Sequence, residues 1–187
     1  MEMFDALDVA QQEFDRVLRQ VGDDQWGLPT PCSEWSVRDV ANHVLGAGYY
    51  LMALMEGAPK DDALAILSQD FLRPDAVSAF ELQRPKLRET FHAPGALERI
   101  GHHVIADMTG AQLLRGAVSE TAMHTWDIIR ATSIEPPLDP QLAGVALDIF
   151  QQLAPVFAAH GYTAPSVDIG ADAPVQLRMA ALAGRQP

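Results

Sequence analysis

Apolar residues along this chain recur at helical spacing almost from end to end. Phe4, Leu7, Ala10, Phe14, Val17, Leu18 and Val21 follow one another three and four apart, which predicts a first helix ending near Gly22. Gly27-Leu28-Pro29-Thr30-Pro31-Cys32 breaks the pattern, and its two prolines predict a loop. Ser36 followed by Asp39 resembles a capping box, so a second helix starts there and runs to Met55 or Glu56, with Gly57 and Pro59 as its stop. A third helix is expected from Pro74 toward Thr90, kinked or split at Pro85. Phe91 to Asp107 reads as a long, partly extended crossover. Thr109 with Gln112 is a second capping box and opens a fourth helix through Ala131. Asp139-Pro140 is an N-cap followed by proline at the first helical position. The fifth helix it opens carries Leu142, Val145, Ile149, Leu153 and Val156, with a bend at Pro155 and Gly161 at its end. A short last helix spans Pro174 to Leu182.

The fold class these elements imply is all-α: a four-helix bundle with one long crossover and short C-terminal additions. Neither an internal repeat nor a domain linker is visible, so residues 1–187 read as a single domain. Hydrophobic content of 48% against 20% charged residues describes a soluble globular chain. No apolar run reaches the roughly 18–20 residues of a membrane span. The start, Met1-Glu2-Met3-Phe4-Asp5, lacks a basic region before an apolar run and does not read as a secretory signal. One cysteine, Cys32, excludes an internal disulfide and fits a reducing cytoplasm. A formal charge of −12 repels a phosphate backbone, which argues against nucleic acid as a partner.

The candidate chemistry lies on two helices. Glu120 and His124 stand one turn apart on the fourth, in a face shared with Leu113, Ala117 and Ile128. A charged residue on a core-facing stripe needs a partner, and a metal ion is one. His43 sits on the inward side of the second helix with Val40, Val44 and Ala47. If those helices pack side by side, His43, Glu120 and His124 converge on one divalent ion and leave coordination positions open. The spacing alone equally suits a solvated Glu–His pair.

The run Trp26-Gly27-Leu28-Pro29-Thr30-Pro31-Cys32-Ser33-Glu34-Trp35 and its continuation through His43 and Val44 resembles the opening of the mycothiol-dependent maleylpyruvate isomerase metal-binding domain, of the DinB/YfiT-like superfamily. Glu120-Thr121-Ala122-Met123-His124-Thr125-Trp126-Asp127 resembles that family's second signature. The tail from Ala171 to Arg185 resembles a subgroup of stand-alone members, while residues 57–108 match loosely. The resemblance implies a four-helix bundle and carries the metal ligands over as His43, Glu120 and His124. It implies zinc as the usual ion, with nickel or another divalent ion also accommodated, and mycothiol or bacillithiol as cosubstrate. The isomerase has a second, C-terminal domain for which this chain leaves no room, so maleylpyruvate isomerisation itself is not expected.

A coordinating thiol is deprotonated outright, which would present a thiolate to a nearby electrophile. Addition and later departure of that thiolate gives isomerisation; retention gives an S-conjugate. A metal-activated water would instead give hydrolysis. The leading expectation is a metal-dependent thiol transferase or isomerase acting on a small electrophile; a non-catalytic metal- or ligand-binding bundle and a merely structural Glu–His pairing are the alternatives. A homodimer is left open. Among other residues, His102 and His103 point to opposite faces if extended, so both cannot serve one metal. Cys32 is expected to pack as a small hydrophobe. Asp39 is either a cap or a partner orienting His43, and Asp127 either orients His124 or is simply polar. Trp35 and Trp126 are expected as core anchors, and His160 as a cation at a helix end.

Overall fold

The computed structural model describes residues 1–161 and 163–186. Its regular structure, among the described residues, is seven α-helices and one two-stranded hairpin. The chain divides into two compact units, Met1–Val40 with Val118–Pro187, and Ala41–Ala117. Two long helices, α2 (Val37–Met55) and α5 (Gly110–Thr132), run from one unit into the other.

The first unit holds α1 (Met3–Leu18), the start of α2, the second half of α5, α6 (Pro140–Ala159) and α7 (Val175–Leu182). The first stripe is realised: Ala6, Leu7, Ala10, Phe14, Val17 and Leu18 are buried. Phe14, fully buried, contributes about 1.5–3 kcal/mol of hydrophobic stabilisation. The helix stops at Leu18, so Val21 lies beyond it. On α6, Asp139 caps as expected, accepting from the Leu142 amide at 2.8 Å. The apolar sides of α6 and α7 pack together, and α1 also meets α6. His160 closes α6, its Nδ1 lying 2.9 Å from the Val156 carbonyl, and Gly161 follows at φ +75°.

The second unit holds the rest of α2, α3 (Lys60–Ile66), α4 (Ala76–His92), and β1 (Ile100–His102) paired antiparallel with β2 (Asp107–Thr109). The Asn42 side chain pins the loop after α3, donating to the Gln69 carbonyl and accepting from the Phe71 amide, each at 2.8 Å. Tyr49 stacks on Phe71 with ring centres 4.8 Å apart. On α4, buried Gln83 donates to the Leu45 carbonyl beside Gly48, where any Cβ would run into that amide.

Three features depart from the sequence reading. The helix expected from Pro74 starts after Asp75, whose side chain caps it through the Ser78 amide at 2.9 Å. It is neither split nor ended by Pro85, which lies inside a continuous α4. Losing one ladder bond costs about 3 kcal/mol, and the burial of Phe80, Leu87 and Phe91 on the same helix is larger than that. The stretch from Phe91 to Asp107, expected as a partly extended crossover, carries the hairpin, where Gly101 fits because a Cβ would strike Leu113 and Leu54, and the short helix α3 ahead of α4 has no counterpart in the sequence reading. Both capping boxes are present: Ser36 with Asp39, whose side chains bond at 2.6 Å, and Thr109 with Gln112, where the Thr109 amide donates at 2.8 Å.

Candidate metal centre

The second half of α5 supplies the centre. Glu120, His124 and Asp127 follow one another along one side of this helix, and it is held straight into the core by buried Val118, Ala122, Met123 and Ile128. Glu120 is half-buried, His124 is buried, and Asp127 is fully buried. Ligand atoms of Glu120 and His124 lie within 4.8 Å of each other. Imidazole with carboxylate is a donor set that zinc accepts, with bonds of about 2 Å.

The loop before α2 covers the histidine. Its ends are joined by a bridge between Pro29 and Ser36, and the Thr30 hydroxyl donates to the Trp35 carbonyl at 2.9 Å. Glu34 takes a left-handed conformation at φ +70°, which turns the chain so that Trp35 faces inward. The Trp35 ring stacks on the His124 imidazole, centres 5.8 Å apart and planes inclined by 27°. Trp35 is therefore part of the wall of the centre and only half-buried, which corrects the expectation of a plain core anchor. Trp126 does meet that expectation: it is buried, with the Arg130 guanidinium 5.8 Å from its ring centre.

Asp127 orients toward His124 rather than standing apart. Its Oδ2 lies 3.0 Å from His124 Nδ1. Arg185 grips the same carboxylate with two donors, Nε to Oδ1 at 3.2 Å and Nη2 to Oδ2 at 2.8 Å. Burial pushes the Asp127 carboxyl up, but the bonds from His124 and Arg185 and the guanidinium charge outweigh it and hold it below its ordinary range. Burial likewise pulls Arg185 down, and its bond to Asp127 more than restores it.

Cys32 comes close as well: atoms of Cys32, His124 and Asp127 lie within 4.8 Å of one another. This second grouping is the poorer site, since an ion there would displace Asp127 from a charge-assisted pair whose two oxygens are already committed. Burial raises the Cys32 thiol, Arg185 lowers it, and Asp127 and Glu120 raise it further, with a net upward shift. It stands as a neutral thiol, in keeping with the packing role expected of it.

His43 lies in the second unit, half-buried on α2, three residues past the point where the first unit's opening segment ends. Asp39 serves the Ser36 capping box, its carboxyl held down by the bonds from Ser36. His102 and His103 diverge as expected. His102 pairs with Asp107 directly across the hairpin at 2.8 Å, exposed, whereas His103 meets the edge of Tyr50, ring centres 5.5 Å apart. Arg185, which the sequence reading does not assign to the centre, belongs to it through Asp127. The signal for it was indirect: a carboxylate on the buried side of α5 requires a cation, and Arg185 ends a tail already noted for its resemblance.

Residues 7–129 match the model of the mycothiol maleylpyruvate isomerase N-terminal domain. Two uncharacterised proteins, from two strains of Mycobacterium tuberculosis, are each 30% identical over 138 residues, covering 72% of this chain and 69% of theirs. A crystal structure of a point mutant of mycothiol-dependent maleylpyruvate isomerase superposes with a TM-score of 0.63 at 14% identity, covering 89% of this chain and 75% of that one. The likeness shows that the all-α, DinB-like fold is shared. Over the greater part of its length, then, this chain belongs to the mycothiol maleylpyruvate isomerase N-terminal domain family.

Proposed function

We propose that His43 joins Glu120 and His124 in holding a divalent ion, zinc in the first place, and that the protein uses a low-molecular-weight thiol of the mycothiol type for S-transfer to, or isomerisation of, a small electrophile. The observation that carries this reading is the paired Glu120 and His124 on one helical face, with the imidazole held by Trp35 on its plane and Asp127 at its edge. His43 supports it by position: it lies one turn past Asp39 on a helix that begins in the unit holding the other two residues. The family's own description supplies the thiol.

The charges suit a thiolate. Two neutral imidazoles and one carboxylate leave a divalent ion with a net single positive charge, while Asp127 adds none because Arg185 neutralises it. The ion's part is to stabilise the thiol sulfur as thiolate. Trp35, stacked on the His124 ring, would stand beside the sulfur and limit its exposure to water. Sulfur adds to a conjugated double bond, the π electrons move to the adjoining carbonyl, and the new single bond rotates. Their return expels the thiolate and leaves the isomer; protonation of the carbon next to the carbonyl, by the proton the thiol gave up to solvent, instead leaves the conjugate. Such a reduced thiol belongs to a reducing compartment, in keeping with a single cysteine, and no described helix is long and apolar enough to cross a membrane.

Metal analysis of protein purified without an affinity tag tests the first half, and His43→Ala should abolish stoichiometric metal. Full occupancy in that variant would remove the triad. Adding mycothiol to the cobalt-substituted protein tests the second half, where a sulfur-to-metal charge-transfer band is expected. Absence of the band at saturating thiol would move the reading to metal-activated hydrolysis or to a non-catalytic metal protein.

A further inference from the structure

We infer that Asp127 and Arg185 are positioning residues: together they fix the His124 ring with its proton on Nδ1, so that Nε2 is the nitrogen turned toward a metal ion. This rests on the reading of His124 as a ligand given above. The Asp127 carboxylate is fully buried and receives both arms of the guanidinium fork, so toward His124 it can only accept. The hydrogen in the 3.0 Å contact between Nδ1 and Oδ2 therefore belongs to the ring. A neutral imidazole carries one proton, and placing it on Nδ1 makes Nε2 the lone-pair nitrogen. Two independent constraints then hold the ring: Trp35 against its plane, and Asp127 against rotation about its axis. Such outer partners orient metal-bound imidazoles and raise their basicity.

The end of the chain is built to deliver the guanidinium. Helix α7 buries Met179, Ala180 and Ala181 and then turns sharply. Gly184 makes that turn at φ +79°, where a side chain is strained, and a Cβ there would also run into the Ala164 carbonyl. The Arg185 amide returns to the Ala180 carbonyl at 2.9 Å, and its Nη1 donates to the Ala183 carbonyl at 3.0 Å. These two bonds thus aim a side chain that is 9% exposed at a carboxylate that is 0% exposed. A segment far from the metal-ligand motif in sequence sets the orientation of one of its ligands.

Ring-nitrogen NMR of histidine-labelled, metal-free protein tests this directly. The chain has 6 histidines, and the His124 signals are those missing from His124→Gln. The expected result is a protonated Nδ1 and a bare Nε2 for His124 in the native protein, with that preference lost in Asp127→Asn. Zinc affinity, read by competition with a chromophoric chelator, should fall about 10–100-fold in Asp127→Asn and less in Arg185→Lys, which keeps the charge without the fork. Should Asp127→Asn not fold, Arg185→Lys and Gly184→Ala carry the same two measurements. A native His124 protonated on Nε2, or a folded Asp127→Asn with native zinc affinity, overturns the inference. A native protein that binds no zinc yet shows the Nδ1 proton removes the metal reading and leaves the positioning in place.

Discussion

Removing Arg185 should be among the most damaging single changes available in this molecule. Arg185→Met keeps the length and most of the volume of the side chain but takes away both donors to Asp127. The carboxylate it abandons is 0% exposed, so water cannot replace them. Breaking a buried ion pair by deleting one partner costs about 3–5 kcal/mol, mostly the penalty of the uncompensated charge. Against a usual total of about 5–15 kcal/mol, that is a large share of stability. For a chain of this size it corresponds to a fall in Tm of about 6–20 °C. Urea unfolding followed by helical circular dichroism, with the slope unchanged from the native protein, measures the loss. The companion measurement is a cycle with Asp127→Asn. The double variant lacks the stranded charge, so its loss should be smaller than the sum of the two single losses by about 0.5–3 kcal/mol. A loss below about 1 kcal/mol in Arg185→Met, or additive losses in the cycle, would show that the pair is not the buried, mutually dependent contact described.

Three further outcomes are expected. Asp127 has a folded carboxyl lowered below its ordinary value, so its stabilising effect is complete above the unfolded pKa of about 3.9 and disappears as the pH falls through the folded value; acid unfolding of the native protein should be steeper below pH ~4 than that of Asp127→Asn, and identical acid limbs would count against the assignment. Gln11 is buried on α1 with neither side-chain polar atom paired among the described residues, so Gln11→Leu should stabilise by about 1 kcal/mol in the same urea assay, and a destabilised variant would reveal a partner for the amide. Chelation should lower the Tm of metal-loaded protein, because binding to the folded state alone adds stability at about 2.7 kcal/mol for a hundredfold excess over Kd; an unchanged Tm in calorimetry, with metal shown to have left, would mean the ion contributes nothing to folding.

What the sequence disclosed and what it withheld divide along a physical line. Contacts made within a turn of helix were legible. The Ser36–Asp39 and Thr109–Gln112 boxes and the Asp139 cap all join residues three apart, and all three form as their spacing indicates. Glu120 and His124 were legible for the same reason. The hairpin was not, because β1 and β2 have three residues each and cannot display an alternating pattern. Pro85 does not split α4 because a local rule met a larger tertiary gain: the helix buries Phe80, Leu87 and Phe91 around it. Arg185 was out of reach for a different reason. Its partner is 58 residues away, and a guanidinium at the end of a tail has no local mark that distinguishes it from a solvated one. Yet the need for it was written into α5. Asp127 stands on a helix whose buried side is otherwise apolar or neutral, and a carboxylate in that position must find a cation or give up its charge. Sequence reasoning that asks of each inward charge what neutralises it would therefore have searched for Arg185, though only the fold says that the last turn of the chain supplies it.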